Sequence, residues 1–137
     1  MNNIQKVTVE LKNGRFRLTN SGKTDDLNPK ALILYATAQC AGYTVMEILR
    51  KSDVTPKSFE ITLEGELDTE QVKPSSRFMA FKIIYNVECK TLSDHKYISD
   101  AIHDTQQSKC GLVALLKSGA PVNYDTAIVS TETTKMV

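Results

Sequence analysis

Apolar and polar residues alternate strictly over residues 7–12, which is the period of a strand that is buried on one face. Asn13-Gly14 follows, and this dipeptide is the strongest short sequence signal for a two-residue type I′ hairpin turn. Such a turn pairs Leu11 with Phe16 on the apolar face of the hairpin and leaves Arg17 on the polar face. The pattern therefore predicts an N-terminal β-hairpin.

Residues 28–51 have a different pattern, in which apolar residues occupy nearly every side of a helix. Asn28 is a suitable N-cap, a proline stands at the first helical position, and no charged residue falls between Lys30 and Glu47. The uncharged window is too short to cross a bilayer and contains Thr, Gln and Gly, so it indicates a core helix rather than a membrane span. We expect a long buried central helix with Cys40 at its middle.

Alternation returns in three later segments. Residues 59–68 read as a strand with one acidic face, and residues 77–89 as a longer strand with Met79 and Cys89 on its apolar face. Cys89 is most simply a packed residue at a strand end. Residues 122–131 alternate again and predict a final strand.

Helical spacing dominates between the last two strands. Ser93 is the expected cap of a second helix, whose register breaks around residues 106–109. With Ser108 as the N-cap of a third helix, Cys110 falls at the second helical position, and Gly119 ends that helix. Unpaired N–H groups and the positive end of the helix dipole would then lower the pKa of the Cys110 thiol.

The resulting order, β-β-α-β-β-α-α-β, predicts an α+β fold with antiparallel sheet on either side of the buried central helix. A chain of 137 residues is long enough for one domain with a real core. It is short, however, for covering such a helix on every side. Dimerisation that buries part of the helix against a second copy is the simplest solution.

Composition narrows the class of protein. A formal charge of +1 and the lack of a basic cluster give no reason to expect nucleic acid or an anionic membrane as a partner. The N-terminus reads as a strand rather than a secretion signal. Three cysteines, an odd number, argue against a disulfide scaffold, so we expect a reducing, cytoplasmic setting.

The cysteines are the candidate chemistry. A peroxide-reducing thiol needs a protected pocket, surroundings that ionise it and a second thiol that traps the sulfenic acid. Cys40 and Cys110 supply all three if the fold brings them together; otherwise both are packing residues. A metal site that uses cysteines with His95 or His103 remains an alternative, but the spacing matches no standard zinc pattern, and we expect neither metal nor cofactor.

Three segments resemble the OsmC/Ohr proteins, thiol-dependent peroxidases of bacterial stress response. They are NPKALILYATAQC (Asn28 to Cys40), SFEITLEGELD with its acidic strand, and SKCGLVALL (Ser108 to Leu116). The compact hairpin is similar to the short YhfA-like branch. The resemblance covers most of the chain and implies a single OsmC-like domain over residues 1–137.

The resemblance also implies a mechanism. The protein would be an intertwined homodimer with two active sites at the subunit interface and a peroxiredoxin-like activity in oxidative or osmotic stress. Cys40 would be the peroxidatic thiolate that attacks an organic hydroperoxide, and Cys110 would resolve the sulfenic acid to a disulfide. An external dithiol would then reduce that disulfide.

The family also holds its thiolate with an arginine near the N-terminus. Arg17 is the expected residue, whereas Arg15 reads as a solvated strand residue. Lys30 stands where many members have the glutamate that orients the arginine, and it either supplies the positive charge itself or points to solvent. Gly111 stands where a proline often follows the second cysteine. Lys30 and the apolar helix surface motivate an alternative function, a non-catalytic dimeric OsmC-like protein that binds a small apolar ligand.

Overall fold

The structure is a computed structural model and describes residues 3–131. The order of its strands and α-helices is the predicted one, β-β-α-β-β-α-α-β. The elements are β1 (Asn3–Lys12), β2 (Arg15–Leu18), two 3₁₀ turns (Thr19–Ser21 and Thr24–Asp26), α1 (Pro29–Lys51), β3 (Ser58–Leu67), β4 (Phe78–Cys89), α2 (Leu92–Asp104), a π-helix (Thr105–Lys109), α3 (Gly111–Lys117) and β5 (Val122–Ser130).

The N-terminal hairpin forms in the predicted register, with Leu11 opposite Phe16 and Glu10 opposite Arg17. Its turn residues Asn13 and Gly14 both have positive φ, 52° and 78°, as a type I′ turn requires. The register buries Phe16 and leaves the Arg17 side chain exposed.

Helix α1 begins as predicted, because Asn28 Oδ1 accepts a hydrogen bond of 2.9 Å from the backbone N–H of Ala31. One face of α1 packs against β1 and β3, and α2 and α3 also contact the helix. The opposite face remains apolar and open in the single chain, with Ile33 47% and Tyr43 41% exposed. The residues that α1 buries are Ala31, Leu34, Thr37, Ala38, Ala41, Gly42, Val45 and Leu49.

α1 is also the one helix among the described residues that is long and apolar enough to cross a membrane by length and composition. Its packing against the sheet is that of a core helix.

The sheet differs in two respects from the predicted arrangement. Its five strands form a single sheet in the order β2-β1-β3-β4-β5, so one chain places strands on one side of α1 and not on both. Neighbouring strands from β2 to β4 are antiparallel, but β5 pairs with β4 in parallel. The reason is that α2 and α3 carry the chain back to the starting end of β4, which is the crossover that a parallel pair needs.

The start of β4 corrects one predicted position. Met79 is 52% exposed and not on the apolar face, because the register between β3 and β4 shifts at Glu66 and Leu67. Leu67 pairs with Phe78, and Glu66 with Ala80, which leaves Met79 as the extra residue of a β-bulge. Beyond the bulge the predicted alternation holds through Cys89, which is buried at the strand end with its Sγ 3.4 Å from the Thr91 carbonyl.

The start of α2 corrects a second position. The N-cap is Thr91, two residues before the predicted Ser93, which lies inside the first turn. The hydroxyl oxygens of Thr91 and Ser93 are 3.0 Å apart, so Ser93 is hydrogen-bonded to the capping residue and does not cap the helix itself. The predicted register break near residue 106 is present as the π-helix.

Candidate active site

Cys40 and Cys110, 70 residues apart in sequence, meet in the fold with 3.1 Å between their Sγ atoms. Both are free thiols. A disulfide bond is about 2.05 Å long, so the two sulfur atoms need to approach by only about 1 Å to join. The sequence left open whether Cys40 and Cys110 meet, and the fold brings their sulfur atoms together.

Cys40 is held by a regular helix that is fixed on both sides of it. Its neighbour Gln39 donates a hydrogen bond of 2.8 Å from Nε2 to the Phe16 carbonyl of β2. Gly42 lies so close to the Phe16 ring that a Cβ at this position would be 2.6 Å from two ring carbons. Only a glycine permits this approach, and the Cys40 side chain is left half-buried at the helix surface.

Cys110 is held by an irregular segment. The π-helix ends with the Cys110 backbone N–H donating to the Thr105 carbonyl at 3.3 Å, the five-residue spacing of a π-turn. α3 then begins at Gly111, so Cys110 itself occupies the N-cap position, with an extended backbone. The predicted cap at Ser108 is therefore wrong, because the π-helix incorporates residues 105–109. The Cys110 side chain is only 1% exposed.

The predicted direction of the Cys110 pKa is also wrong. The pKa of this thiol is raised to about 11, mainly by burial and in smaller part by its hydrogen bond with Cys40. The backbone N–H groups of Val113 and Leu112 at the start of α3 lower the pKa, as the helix-start argument expected, but burial is the larger effect. The sequence indicated that Cys110 lies at a helix start, but it did not indicate how deeply the Cys110 thiol is buried.

The two thiols are therefore unequal. The Cys110 thiol keeps its proton and donates it to Cys40 Sγ in an S–H···S hydrogen bond. Cys40 is also the more accessible of the two. The Cys40 sulfur is thus accessible and accepts a hydrogen bond, whereas the Cys110 sulfur is buried and protonated.

A buried polar pair lies beside the thiols, and the sequence analysis missed it. The Tyr85 hydroxyl on β4 donates a hydrogen bond to Gln106 Oε1 in the π-helix, and both side chains are buried. Burial is the main cause that raises the pKa of Tyr85, and charges on Cys110, Tyr124 and Cys40 would raise it further, so the phenol lies close to both thiols. The sequence signal that could have revealed this pair was a tyrosine on the apolar face of a strand, because a buried hydroxyl needs a hydrogen-bond partner.

The candidate cationic side chains, Arg17 and Lys30, lie apart from the two thiols. Arg17 is exposed and lines a cavity of about 530 Å³ that also borders Arg15, Gln39 and Tyr43. Within residues 3–131, no hydrogen bond or ion pair joins Arg17 to either sulfur. Lys30 Nζ donates to the Pro74 carbonyl at 3.3 Å, which directs its charge to the loop before β4 and not to Cys40.

The histidines are apart from the thiols. His103 Nδ1 is 3.2 Å from the Tyr124 hydroxyl, and His95 is an exposed residue of α2. Across the described residues, no group of three or more His, Cys, Asp or Glu side chains is arranged to hold a metal ion.

An α+β scaffold that brings an accessible thiol and a buried thiol almost to bonding distance is that of a two-cysteine thiol protein. The family model described as OsmC-like protein matches residues 22–125, so the chain belongs to the OsmC-like protein family. A comparison with curated protein sequences finds no match.

Solved structures show the same fold at low sequence identity. A hypothetical protein from Aquifex aeolicus VF5 is 20% identical, with a TM-score of 0.58 and coverage of 93% of this chain and 97% of that chain. An OsmC-like protein from Mycoplasma pneumoniae is 13% identical, with a TM-score of 0.61 and coverage of 94% and 97%. The organic hydroperoxide resistance protein OhrB of Bacillus subtilis is 11% identical, with a TM-score of 0.54 and coverage of 93% and 98%.

Proposed function

We propose that this protein is a thiol-dependent peroxidase that reduces organic hydroperoxides in the cytoplasm during oxidative or osmotic stress. The observation that carries the proposal is the 3.1 Å separation of the Cys40 and Cys110 sulfur atoms. Membership in a family with redox and stress roles supports it, and OhrB of Bacillus subtilis is named for organic hydroperoxide resistance.

The unequal surroundings of the two thiols support different roles for them. A hydroperoxide must reach the attacking sulfur, and Cys40 is half-buried whereas Cys110 is almost fully enclosed. A thiol whose pKa is about 11 is ionised in only roughly one molecule in ten thousand at pH 7, so Cys110 is a poor first nucleophile. Cys40 is therefore the peroxidatic cysteine and Cys110 the resolving one.

The reaction has three steps. The Cys40 thiolate attacks the O–O bond of the hydroperoxide, which gives a Cys40 sulfenic acid and an alkoxide that takes up a proton to become the alcohol. The Cys110 sulfur then attacks the sulfenic sulfur, and a disulfide forms as water leaves. An external dithiol reduces the disulfide to two thiols and is itself oxidised to a disulfide.

We also propose that the working form is a homodimer. Leu32, Ile33 and Tyr43 leave the outer side of α1 apolar and exposed in the single chain, next to the helix position of Cys40. A second copy over this surface would remove apolar area from water and enclose the opening to Cys40.

Arg17 is the proposed support of the thiolate. It lines a cavity together with Gln39, the residue before Cys40 on α1, so its charge lies close to the part of the helix that carries the thiol. An exposed guanidinium acts on a thiolate mainly through long-range attraction, which solvent screens.

Thiol counting after oxidation tests the proposed function. Free thiols are titrated before and after one equivalent of an organic hydroperoxide, and the products are digested and mapped. We expect a loss of two of the three thiols and a peptide that joins Cys40 to Cys110, with Cys89 still reduced. Cys89→Ser is the matched control, because it removes a buried thiol that takes no part and should leave both results unchanged.

Retention of all three thiols would defeat the peroxidase proposal. It would then favour a non-catalytic dimeric protein that binds a small apolar ligand near the open face of α1. Turnover by the wild-type protein that disappears in Cys40→Ser would exclude this second function.

A further inference from the structure

Tyr85 and Gln106 connect the sheet to the segment that holds Cys110. Tyr85 is fully buried on β4, Gln106 is 2% exposed in the π-helix, and the Tyr85 hydroxyl donates to Gln106 Oε1. The backbone carbonyl of Gln106 also accepts a hydrogen bond from Lys117 Nζ of α3. Gln106, four residues before the resolving cysteine, is thus held by hydrogen bonds to both β4 and α3.

Gln106 lies inside the π-helix, and Cys110 is the residue that directly follows that helix. The wide turn of a π-helix places residues four apart roughly one turn from each other, and both side chains are buried. A π-helix makes poorer internal contacts than an α-helix and is kept where the surroundings or a function require it. The position of Cys110 therefore depends on what holds residue 106.

The side-chain amide of Gln106 contributes a destabilising term to the folded state, because one of its polar atoms is unsatisfied within residues 3–131. Its Nε2 is buried and has no hydrogen-bond partner among the described residues. A buried donor without a partner destabilises the folded state, whereas an apolar side chain at this position would leave the Tyr85 hydroxyl without its acceptor. A glutamine that is kept despite this cost is explained if its oxygen has a role that an apolar group cannot fill.

We propose that the Tyr85–Gln106 pair positions Cys110 for the disulfide-closing step, and this inference rests on the proposed function. In that step the Cys110 sulfur attacks the sulfur of the Cys40 sulfenic acid. The S–S bond forms, the S–O bond breaks, and the departing hydroxide leaves as water with the proton of the Cys110 thiol. Since the sulfurs must close from 3.1 Å, a fixed π-helix keeps Cys110 in line with Cys40 during the attack.

The test separates the two chemical steps. Rapid quenching with a sulfenic-acid reagent follows oxidation of Cys40, and the loss of the second thiol follows disulfide closure. In Tyr85→Phe we expect oxidation of Cys40 at the wild-type rate and closure slowed roughly ten- to a hundredfold, the effect of misplacing a reacting group by about 1 Å. A general loss of folding would slow both steps together.

Two further variants sharpen the test. Gln106→Met keeps the volume and removes the acceptor, so it should slow closure as much as Tyr85→Phe, and the double variant should be no slower than either one. It also provides a second measurement if Tyr85→Phe does not fold. Tyr124→Phe is the matched control: its ring lies 6.3 Å from that of Tyr85, but its hydroxyl faces His103, and closure should stay at the wild-type rate.

Oxidised glutathione makes this test independent of peroxidase activity. It forms a mixed disulfide at Cys40, from which Cys110 displaces the glutathione thiolate, so the closing step is measured even if no hydroperoxide reacts. Slower closure in Tyr85→Phe and Gln106→Met by this route supports the positioning role. Closure at the wild-type rate in both variants, or an equal slowing in Tyr124→Phe, would overturn it.

Discussion

The middle of α1 and the junction between α2 and α3 each hold one cysteine of the pair, and they do so in opposite ways. Cys40 stands on a regular helix whose neighbouring residues pack against the hairpin, and its sulfur remains half-buried. Cys110 stands where a π-helix gives way to a short helix, and its sulfur is enclosed. The two sulfurs are nevertheless in contact, so the difference lies in how each is supported.

This difference divides the chemistry between the two regions. A regular helix gives Cys40 a fixed place with an open side, which suits a sulfur that must meet substrate. The junction gives Cys110 a protected place and a raised pKa, which suits a sulfur that must wait until its partner is oxidised.

The largest expected difference is between the two serine variants. Cys40→Ser should reduce hydroperoxide consumption to the uncatalysed background, because no accessible thiolate remains. Cys110→Ser should still consume one equivalent and then stop at the Cys40 sulfenic acid, which a sulfenic-acid reagent labels and mass spectrometry detects.

Cys89→Ser serves as the control for both variants and should turn over at the wild-type rate. If Cys110→Ser lost the first equivalent while Cys40→Ser retained it, the assigned roles would have to be exchanged.

The second difference is in thiol reactivity with pH. Alkylating reagents attack the thiolate, and burial raises the pKa of Cys110 to about 11, so this thiol is protonated below that pH and becomes ionised as the pH rises through it. At pH 7.5 we expect Cys40 to be alkylated at least about a hundredfold faster than Cys110. Peptide mapping after timed quenching measures both rates.

The reactivity of Cys110 should climb steadily with pH up to about 11. The rate should be measured in Cys40→Ser as well, since this variant replaces the acceptor of the S–H···S bond. Equal reactivity of the two thiols at neutral pH would contradict the division between an open and an enclosed sulfur.

The two regions also differ in how much of them the sequence could predict. The hairpin and the start of α1 depend on neighbours in the chain, such as Asn13-Gly14 and the Asn28 cap, and both were predicted. The cap at Cys110 was missed because a π-helix results from tertiary packing of Gln106 and Thr105, which local patterns do not report.

Long-range features explain the other differences between the predicted and the observed structure. Met79 looked like a core residue because alternation carries no information about a bulge, which depends on the pairing of β4 with β3. The parallel β5 depends on where the crossover ends. The meeting of Cys40 and Cys110 was implied only by the family resemblance, because neither helix alone encodes it.

A third comparison uses the first glycine after each cysteine, Gly42 after Cys40 and Gly111 after Cys110. A Cβ at Gly42 would lie 2.6 Å from carbons of Phe16, a ring held edge-on by Tyr43 and Phe59, so Gly42→Ala should destabilise the protein by about 1–3 kcal/mol. A Cβ at Gly111 would meet nothing within 4 Å, so Gly111→Ala should be neutral or stabilise by up to about 1 kcal/mol.

Chemical denaturation of both variants measures this difference under the same conditions. Gly111→Ala is the matched control, since it makes the same chemical change at a helix residue. Equal effects at the two positions would show that the packing of α1 against the hairpin is looser than the Phe16 contact implies.

The smallest expected effect concerns the arginines of β2. Arg17 and Arg15 are both exposed and border the cavity beside Gln39, so either charge reaches Cys40 only through solvent. Exposed charges interact by about 0.2–1 kcal/mol, so Arg17→Gln should slow the oxidation of Cys40 by at most about fivefold at low salt. Stopped-flow measurement of that step, repeated at high ionic strength, should show the effect shrinking as salt screens the charge.

Arg15→Gln removes the same charge from the same face of the hairpin and separates a specific role from a general one. A larger effect for Arg17 than for Arg15 would assign the support of the thiolate to Arg17. Equal small effects would mean that the hairpin supplies only a general positive potential. A loss of a hundredfold or more in Arg17→Gln, insensitive to salt, would require direct contact between the guanidinium and the thiolate, and the two arginines would no longer be comparable surface charges.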